Sequence, residues 1–386
     1  MEDNGELAGH RFPLPADIIV EILSRLPVKS LCRFRCVSKP WRSLISNTKF
    51  IALHAKKALE DKEVFFQRRR VISNVAGRGL YSMNRDEFLN HADNPHGSVT
   101  ATELDFVRKE FDPEQQHKPP WLPFIYFCNN LLLCYTKKGI YLVNPATRQM
   151  KKVPKTPTGR PSPAIRVCAS LSICGLGFDY STNEYKVVDG QMYCDMRIVF
   201  SVYRLKTDSW RQLEYHTQYC PDYHQGISFN GAIHWSAGKA FGVGNRSVIL
   251  TFLLAEEEFC EIQLPPIADT CSTILGVFRD CLCITLYGTH QTYDEFWVMK
   301  EYRASESWTK IRISMPYSTI LSHIGFSTKS HDLMVYENSL IMYDFKKESG
   351  RKLQIRDIPK VDTCVGVYVE GLFPLTDQAR EGREST

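Results

Sequence analysis

Between Pro15 and Ile45 the apolar positions recur at helical spacing. Ile18, Ile19, Ile22, Leu23 and Leu26 fall at i, i+1, i+4, i+5 and i+8, one face of a helix. Pro15 presets φ for a first helical turn. Pro27 ends that segment and can open a second, which carries Leu31, Phe34 and Cys36. Ser38 suits the N-cap of a third helix, with Pro40 in its first turn and Val37, Trp41, Leu44 and Ile45 at i, i+4, i+7 and i+8. Three helices in a unit of roughly 40 residues cannot bury all that apolar surface among themselves. The surplus must dock on the rest of the chain or on a partner, and periodicity alone leaves both open.

The pattern then changes. Ala55 to Lys62 extend a helical or linker segment, and from Val64 onward short strands alternate with turn residues. Val64–Phe66 and Gly79–Met83 are the first candidate strands. The polar stretch from Asn84 to Pro120 reads as a long loop around one strand, Ala101 to Val107. From Phe124 a unit recurs: an apolar strand, a turn, and a second strand ending in a charged or aromatic stretch. GIYLVNPATRQMKKVP, VFSVYRLKTDSWRQLE, VILTFLLAEEEFCEIQLP, EFWVMKEYRASESWTKIRI and SLIMYDFKKESGRKLQI are its copies, aligned on Met150, Trp210, Phe259, Trp308 and Arg351. A period of roughly 50 residues with several strands per unit fits a kelch-like propeller blade. A β-sandwich with long hairpins is the alternative. Asn230-Gly231, flanked by apolar runs, predicts a tight hairpin. The expected last strand, Val365 to Leu372, pairs with a strand near the domain's start to close the ring, since closure removes open sheet edges.

Composition narrows the class. The 386 residues are 43% hydrophobic and 24% charged, an ordinary globular balance. The net charge of +5 is small for that length and calls for neither nucleic acid nor a membrane surface. The 13 cysteines form no CxxC pair and no zinc-finger spacing, and many sit in apolar runs, such as Cys128, Cys134, Cys281 and Cys283. They read as reduced core residues of a cytoplasmic or nuclear protein. No signal peptide and no transmembrane run is visible. The sequon Asn245-Arg246-Ser247 is therefore expected to stay unmodified.

Chemistry-bearing motifs are few. There is no HExxH, GxSxG, Walker A or EF-hand loop. Gly175-Leu176-Gly177 lacks the third glycine of a dinucleotide fingerprint. His234 beside Trp235 reads as a packed core histidine. Cys281 and Cys283 share a strand face. Glu256-Glu257-Glu258 reads as a solvated cluster at a hairpin turn. Arg68-Arg69-Arg70 reads as charge guarding an exposed edge, with a nuclear signal or a nucleic-acid patch as the alternatives. Trp210 and Trp308, at matching repeat positions, read as packing residues. No metal or cofactor is expected.

Two resemblances carry the functional expectation. Leu14-Pro15, Asp17, Glu21-Ile22-Leu23, Arg25-Leu26-Pro27, Leu31, Arg35, Val37-Ser38-Lys39, Trp41-Arg42 and Leu44-Ile45 resemble the F-box motif at ungapped spacing. In that family the leading Leu-Pro and exposed helical apolar residues bind a SKP-type adaptor, which links to a cullin and a RING subunit of a ubiquitin ligase. The resemblance implies that Leu14, Pro15, Ile18, Ile22, Leu23, Leu26 and Leu31 carry or support that contact. Val37, Trp41 and Leu44 are expected to hold the helices together. Further on, CNNLLLCYTKKGIYLVNPATRQMKKVP, GLGFDYSTNEYKVV, VYRLKTDSWRQL, GISFNGAIHWSAG and the closing GVYVEGLFPL resemble the F-box-associated domain of plant F-box proteins, a group with kelch-repeat-like and S-locus-type members. Asn130 departs from that pattern, which has Gly after Asn.

The expected fold is a small all-α, three-helix F-box followed by an all-β, kelch-like β-propeller of about six or seven blades, at roughly 45–50 residues each. The expected division is a disordered N-terminus (1–11), F-box (12–54), linker (55–63), propeller (64–374) and disordered tail (375–386). The expected function is the substrate-recognition subunit of an SCF-type ubiquitin ligase, without catalysis of its own. Its target protein and target-binding residues are not legible. The rivals are an adaptor-bound scaffold that does not ubiquitinate and a propeller enzyme, which needs converging metal ligands or paired carboxylates.

Overall fold

A computed structural model describes residues 14–75, 79–84, 98–111, 124–136, 138–157, 167–193, 197–217, 219–221, 226–239, 247–266, 272–287, 293–317, 332–336, 339–357 and 365–375. Residues 1–11, expected to be disordered, most of the expected tail, most of the long polar loop and the asparagine of the sequon lie outside the described residues.

The helical segment opens with α1 (Ala16–Arg25), α2 (Val28–Phe34) and α3 (Lys39–Ser46). Pro15 and Pro27 take the N-cap positions of α1 and α2, one residue earlier than a first-turn proline. The Ser38 hydroxyl accepts from the Trp41 amide at 3.4 Å, as an N-cap serine should. The segment from Ala55 to Lys62, expected to be helix or linker, is mostly helical. α4 (Thr48–Glu60) runs through most of it, and α5 (Lys62–Arg68) replaces the strand expected at Val64–Phe66. Local capping overrides strand propensity here: Asp61 Oδ1 accepts from the Glu63 and Val64 amides at 3.0 and 3.3 Å.

Strands fill the rest. The first are β1 (Arg69–Val75), β2 (Gly79–Asn84) and β3 (Ser98–Glu103). The strand expected to reach Val107 stops at Glu103 and yields to a helix, α6 (Asp105–Phe111), which buries Val107 and Phe111. Next come β4 (Phe124–Cys128), β5 (Leu131–Thr136), β6 (Gly139–Asn144) and β7 (Gln149–Lys152). They are followed by β8 (Val167–Asp179), β9 (Glu184–Tyr193), β10 (Arg197–Arg204) and β11 (Ser209–His216). β12 (Tyr219–Pro221), β13 (Ile227–Phe229), β14 (Ala232–Lys239), β15 (Val248–Leu253) and β16 (Glu258–Gln263) form the next sheet. β17 (Ser272–Phe278), β18 (Cys281–Tyr287), β19 (Tyr293–Met299) and β20 (Trp308–Tyr317) form another. The last strands are β21 (Asp332–Tyr336), β22 (Ser339–Asp344), β23 (Ser349–Lys352), β24 (Gln354–Arg356) and β25 (Val365–Val369).

These are sequential antiparallel sheets arranged as a β-propeller. Among the described residues five sheets have four or more strands, and the β21–β22–β23 sheet has three. Against an expectation of six or seven blades, five of these sheets are full blades among the described residues, and the three-stranded sheet stands beside them. The ring closes through β25, which pairs antiparallel with β1, Arg69 opposite Val369 and Ser73 opposite Val365. The chain's last strand and its first three thus share a sheet, whose outer edge is completed by β24 parallel to β3.

Packing between neighbouring sheets supplies the core. Trp210 of β11 donates its indole N–H to the Pro154 carbonyl just past β7, and Trp308 of β20 donates to the Gln263 carbonyl at the end of β16, each at 3.0 Å. The two tryptophans repeat one clasp between adjacent sheets. His234 is wholly buried, with Nδ1 3.2 Å from the Ile227 carbonyl and Nε2 3.0 Å from the Tyr302 hydroxyl. Asn230 and Gly231 both have positive φ, +48° and +72°, the conformation an Asn-Gly hairpin turn requires.

In the Glu256–Glu258 cluster, Glu256 and Glu258 are exposed as the sequence implies, and Glu257 is not solvated. Glu257 is buried and pairs with Lys186, Arg204 and Arg211 at 3.0, 2.6 and 2.9 Å. Lys186, itself buried, also pairs with Asp179 at 2.9 Å and donates to the Leu254 carbonyl at 2.6 Å. Burial by itself raises the Glu257 carboxyl; hydrogen bonds from Lys186 and Arg204 outweigh it and hold the group below the usual carboxylate range.

Candidate functional site

The first turns of α1 divide its apolar residues between two faces. Ile19 and Leu23 point inward and join Val28, Leu31, Ile45 and Phe50 in one core cluster. Ile18 and Ile22, four residues apart, share the other face and stay 47% and 48% exposed, and Leu14, before the Pro15 cap, is 48% exposed as well. Pro15 is exposed beside them. Leu26 is half-buried against the core, so the seven residues singled out for partner contact fall into two sets. Leu14, Pro15, Ile18 and Ile22 reach solvent; Leu23 and Leu31 are 2% and 0% exposed and support from within.

Trp41 and Leu44 pack on that core, and the Trp41 ring meets Phe34 edge-to-face at 5.5 Å. Val37 does not. It is 69% exposed, the most exposed large hydrophobic residue among those described. The helical period that grouped it with Trp41 is interrupted, because residues 35–37 form a turn before the extended Ser38 cap. Val37 joins the solvent-facing apolar set instead.

The helical unit does not stand apart from the propeller. Leu372, after the last strand, enters its core cluster. Arg68, expected on an exposed edge, is 1% exposed. Its guanidinium donates to the carbonyls of Ser24, Leu26 and His54 at 2.5, 3.3 and 2.7 Å. The first two are end-of-helix carbonyls of α1, which lack intrahelical partners. Burial lowers the Arg68 pKa to about 10, still charged at neutral pH, and pushes His54 down to about 3, so that imidazole is neutral. The Arg68 carbonyl accepts from the Glu370 amide at 2.9 Å, and Glu370 pairs with Arg70 at 3.1 Å. No periodicity argument reveals this junction, because nothing local distinguishes Arg68 from its two neighbours.

The junction also orients the propeller. Tight turns such as Asn129-Asn130, Tyr180–Asn183 and the one at Lys206 face α4 and the stretch after β25. Asn130 fits its turn because the left-handed residue is Asn129, at φ +48°. The Asn130 side chain accepts from the Tyr185 hydroxyl and lies over Gly371, where any Cβ would meet it at 2.6 Å. Strand direction alternates along each sheet, so the connections from β7 to β8, β9 to β10, β14 to β15, β16 to β17 and β18 to β19 leave strand ends on the side away from α4.

Comparison with known proteins follows the same division. Residues 13–53 match the F-box domain, and residues 80–369 match the F-box associated beta propeller domain. The chain belongs to the F-box proteins with an F-box associated β-propeller. F-box protein CPR1 of Arabidopsis thaliana is 26% identical, over 96% of this chain and 94% of its own length. The F-box/kelch-repeat protein At3g23880 of the same plant is 27% identical, over 86% of this chain and 85% of its own length. The exposed stripe at Leu14, Ile18 and Ile22 therefore lies on an F-box, and the sheets behind Arg68 are its associated propeller. Among the described residues of this F-box protein, no group of three or more His, Cys, Asp or Glu side chains is placed to hold a metal ion, and no helix is long and apolar enough to cross a membrane.

Proposed function

We propose that this F-box protein is the target-recognition subunit of an SCF-type ubiquitin ligase. The single observation that carries the reading is the apolar stripe of Leu14, Ile18 and Ile22. It stays open to solvent while the opposite face of the same helix is packed into the F-box core and anchored to the propeller. An apolar face of that kind at the chain's edge fits a partner protein. Leu14, Pro15, Ile18 and Ile22 are the proposed contact with a SKP-type adaptor, Leu23, Leu26 and Leu31 their support, and a cullin and RING subunit follow through the adaptor. The propeller contributes the target contact from the side away from the F-box, since binding residues concentrate on loops that a rigid scaffold positions. The chain performs no bond chemistry in this reading. It raises the local concentration of target lysines near the charged conjugating enzyme. Its compartment is cytoplasm or nucleus, in keeping with cysteines that are free among the described residues.

The test is affinity purification of the full-length protein with the proteasome blocked, beside the Ile22→Asp variant. The wild type is expected to bring down a SKP-type adaptor and ubiquitinated target. Ile22→Asp is expected to lose the adaptor, keep the target and leave it unmodified. Equal adaptor recovery from both proteins overturns the assignment of the α1 face. Adaptor recovery without target ubiquitination favours the scaffold alternative.

A further inference from the structure

We propose that the cavity between α4 and the propeller is a binding site for a small amphipathic anion, a ring-bearing apolar body with one acidic group. The cavity has a volume of about 710 Å³, within the range of sites for drug-sized ligands. One wall is α4, where Ala52, Ala55 and Ala58 fall at i, i+3 and i+6 and leave space that larger side chains would fill. The facing wall is aromatic. Tyr185 stands edge-to-face with Phe178 and with Phe373, ring centroids 4.8 Å apart in both pairs, and Tyr180 meets Phe178 at 5.1 Å.

Tyr180 marks the opening. It is 55% exposed and, among the described residues, the one large hydrophobic side chain of the propeller left that open. Its ring offers a flat apolar surface at the mouth of a cavity that already has an aromatic floor.

Charge selects the ligand. Lys56, Lys151 and Lys206 line the cavity against one carboxylate, Glu370, which is committed to Arg70 at 3.1 Å. Lys206 is exposed and donates to the neutral carbonyl of Thr182, so its charge is available to a bound acid. Lys151 is shared with Asp208 at 2.9 Å and Lys56 with Glu60 at 3.5 Å. The lining therefore presents an excess of positive charge around an apolar interior. A carboxylate or sulfonate at Lys206 with its rings against Phe178 and Tyr180 satisfies both.

A molecule seated there touches the F-box through α4 and the propeller through its turns at once. Occupancy then stiffens the junction that Arg68 already bridges. Under the proposed function this would set the reach from adaptor to target; that consequence rests on the function above, whereas the binding itself does not.

The experiment titrates the full-length protein with 8-anilinonaphthalene-1-sulfonate and, separately, with neutral N-phenyl-1-naphthylamine, following fluorescence. The sulfonate is expected to saturate at one molecule per chain. Ala55→Trp, at an exposed position of α4, is expected to abolish binding of both probes. Tyr180→Ala is expected to weaken both. Lys206→Glu is expected to weaken the sulfonate by roughly fivefold or more and leave the neutral probe unchanged. Adaptor recovery is expected to be the same for all variants, which separates this test from that of the F-box face. Absence of saturable binding, or binding indifferent to both Ala55→Trp and Tyr180→Ala, overturns the proposal. Equal response of the two probes to Lys206→Glu overturns the anion preference. Binding that appears only after removal of residues 376–386 assigns the cavity to the chain's own tail and overturns it as well.

Discussion

The Arg68 Nη2 atom lies 2.5 Å from the carbonyl oxygen of Ser24, across the boundary between propeller and F-box. A cation placed at the C-terminal end of α1 satisfies carbonyls that the helix leaves open and meets the negative end of its dipole. Arg68→Met would remove the donor from the Ser24, Leu26 and His54 carbonyls together. Charged hydrogen bonds to buried groups are worth about 1.5–3 kcal/mol each, so a loss of roughly 3 kcal/mol in unfolding free energy is expected after partial relaxation. Arg68→Lys should recover only part, since an ammonium cannot fork between carbonyls. Urea denaturation of the three proteins measures this; an unchanged midpoint in Arg68→Met would contradict the junction.

The adaptor face should behave oppositely. Ile22 is 48% exposed, so Ile22→Asp is expected to shift the unfolding midpoint by less than about 0.5 kcal/mol. The same carboxylate buried unpaired in an apolar interface is strongly unfavourable, and co-purification of the adaptor should disappear. A paired Leu14→Ala and Pro15→Ala variant should weaken it in the same direction. Deleting residues 1–53 is a poorer probe, because it uncovers Arg68 and Leu372.

Lys186 is held between two buried carboxylates, Asp179 at 2.9 Å and Glu257 at 3.0 Å. Lys186→Met leaves both without their shared cation. Breaking a buried pair by removing one partner costs about 3–5 kcal/mol, and thermal unfolding should move well below that of the wild type. An unchanged transition would show that Arg204 and water compensate fully.

Stability should fall on mild acidification. His54 and His234 are wholly buried, and desolvation pushes their pKa values down from 6.5 to about 3 and about 4. The native state keeps both neutral, while the unfolded chain takes up protons below pH 6.5. Their stabilising contribution is therefore complete above the unfolded value of 6.5 and lost as pH falls from there through the folded values of about 4 and about 3. Each histidine contributes up to about 1.4 kcal/mol per pH unit in that window. Denaturation midpoints should stay level above about pH 7 and drop below it, less steeply in His54→Asn. A midpoint that rises on acidification would reverse the sign and refute the account.

Ring closure gives a further outcome. Ending the chain at Asp362 removes β25, the partner of β1 from Arg69 to Ser73. The open edge of β1 and the lost contact of Leu372 with the F-box core should together produce aggregation. A soluble, cooperatively unfolding truncation would speak against the closed ring.

Local pattern carried most of the architecture. The spacing of Ile18, Ile19, Ile22 and Leu23, with the punctuation of Pro27 and Ser38, determines three helices because helical period and capping are short-range properties. The recurring strand–turn–strand units and Asn230-Gly231 determine sheets and hairpins for the same reason. Leu14 to Ile45 carried the F-box resemblance because its apolar positions stand at ungapped spacing. The tertiary structure decided what depends on partners distant in sequence. It buried Arg68 and Glu257, which look solvated locally, since the groups that neutralise or accept from them lie as far off as Ser24 and Lys186. It exposed Val37, whose period is interrupted by a turn. It drew Leu375, assigned by sequence to a disordered tail, into a core cluster at 2% exposure. It converted Val64–Phe66 from strand to helix through one capping aspartate. A charged side chain's burial is set by the sum of its long-range contacts, and no window of neighbouring residues contains that sum.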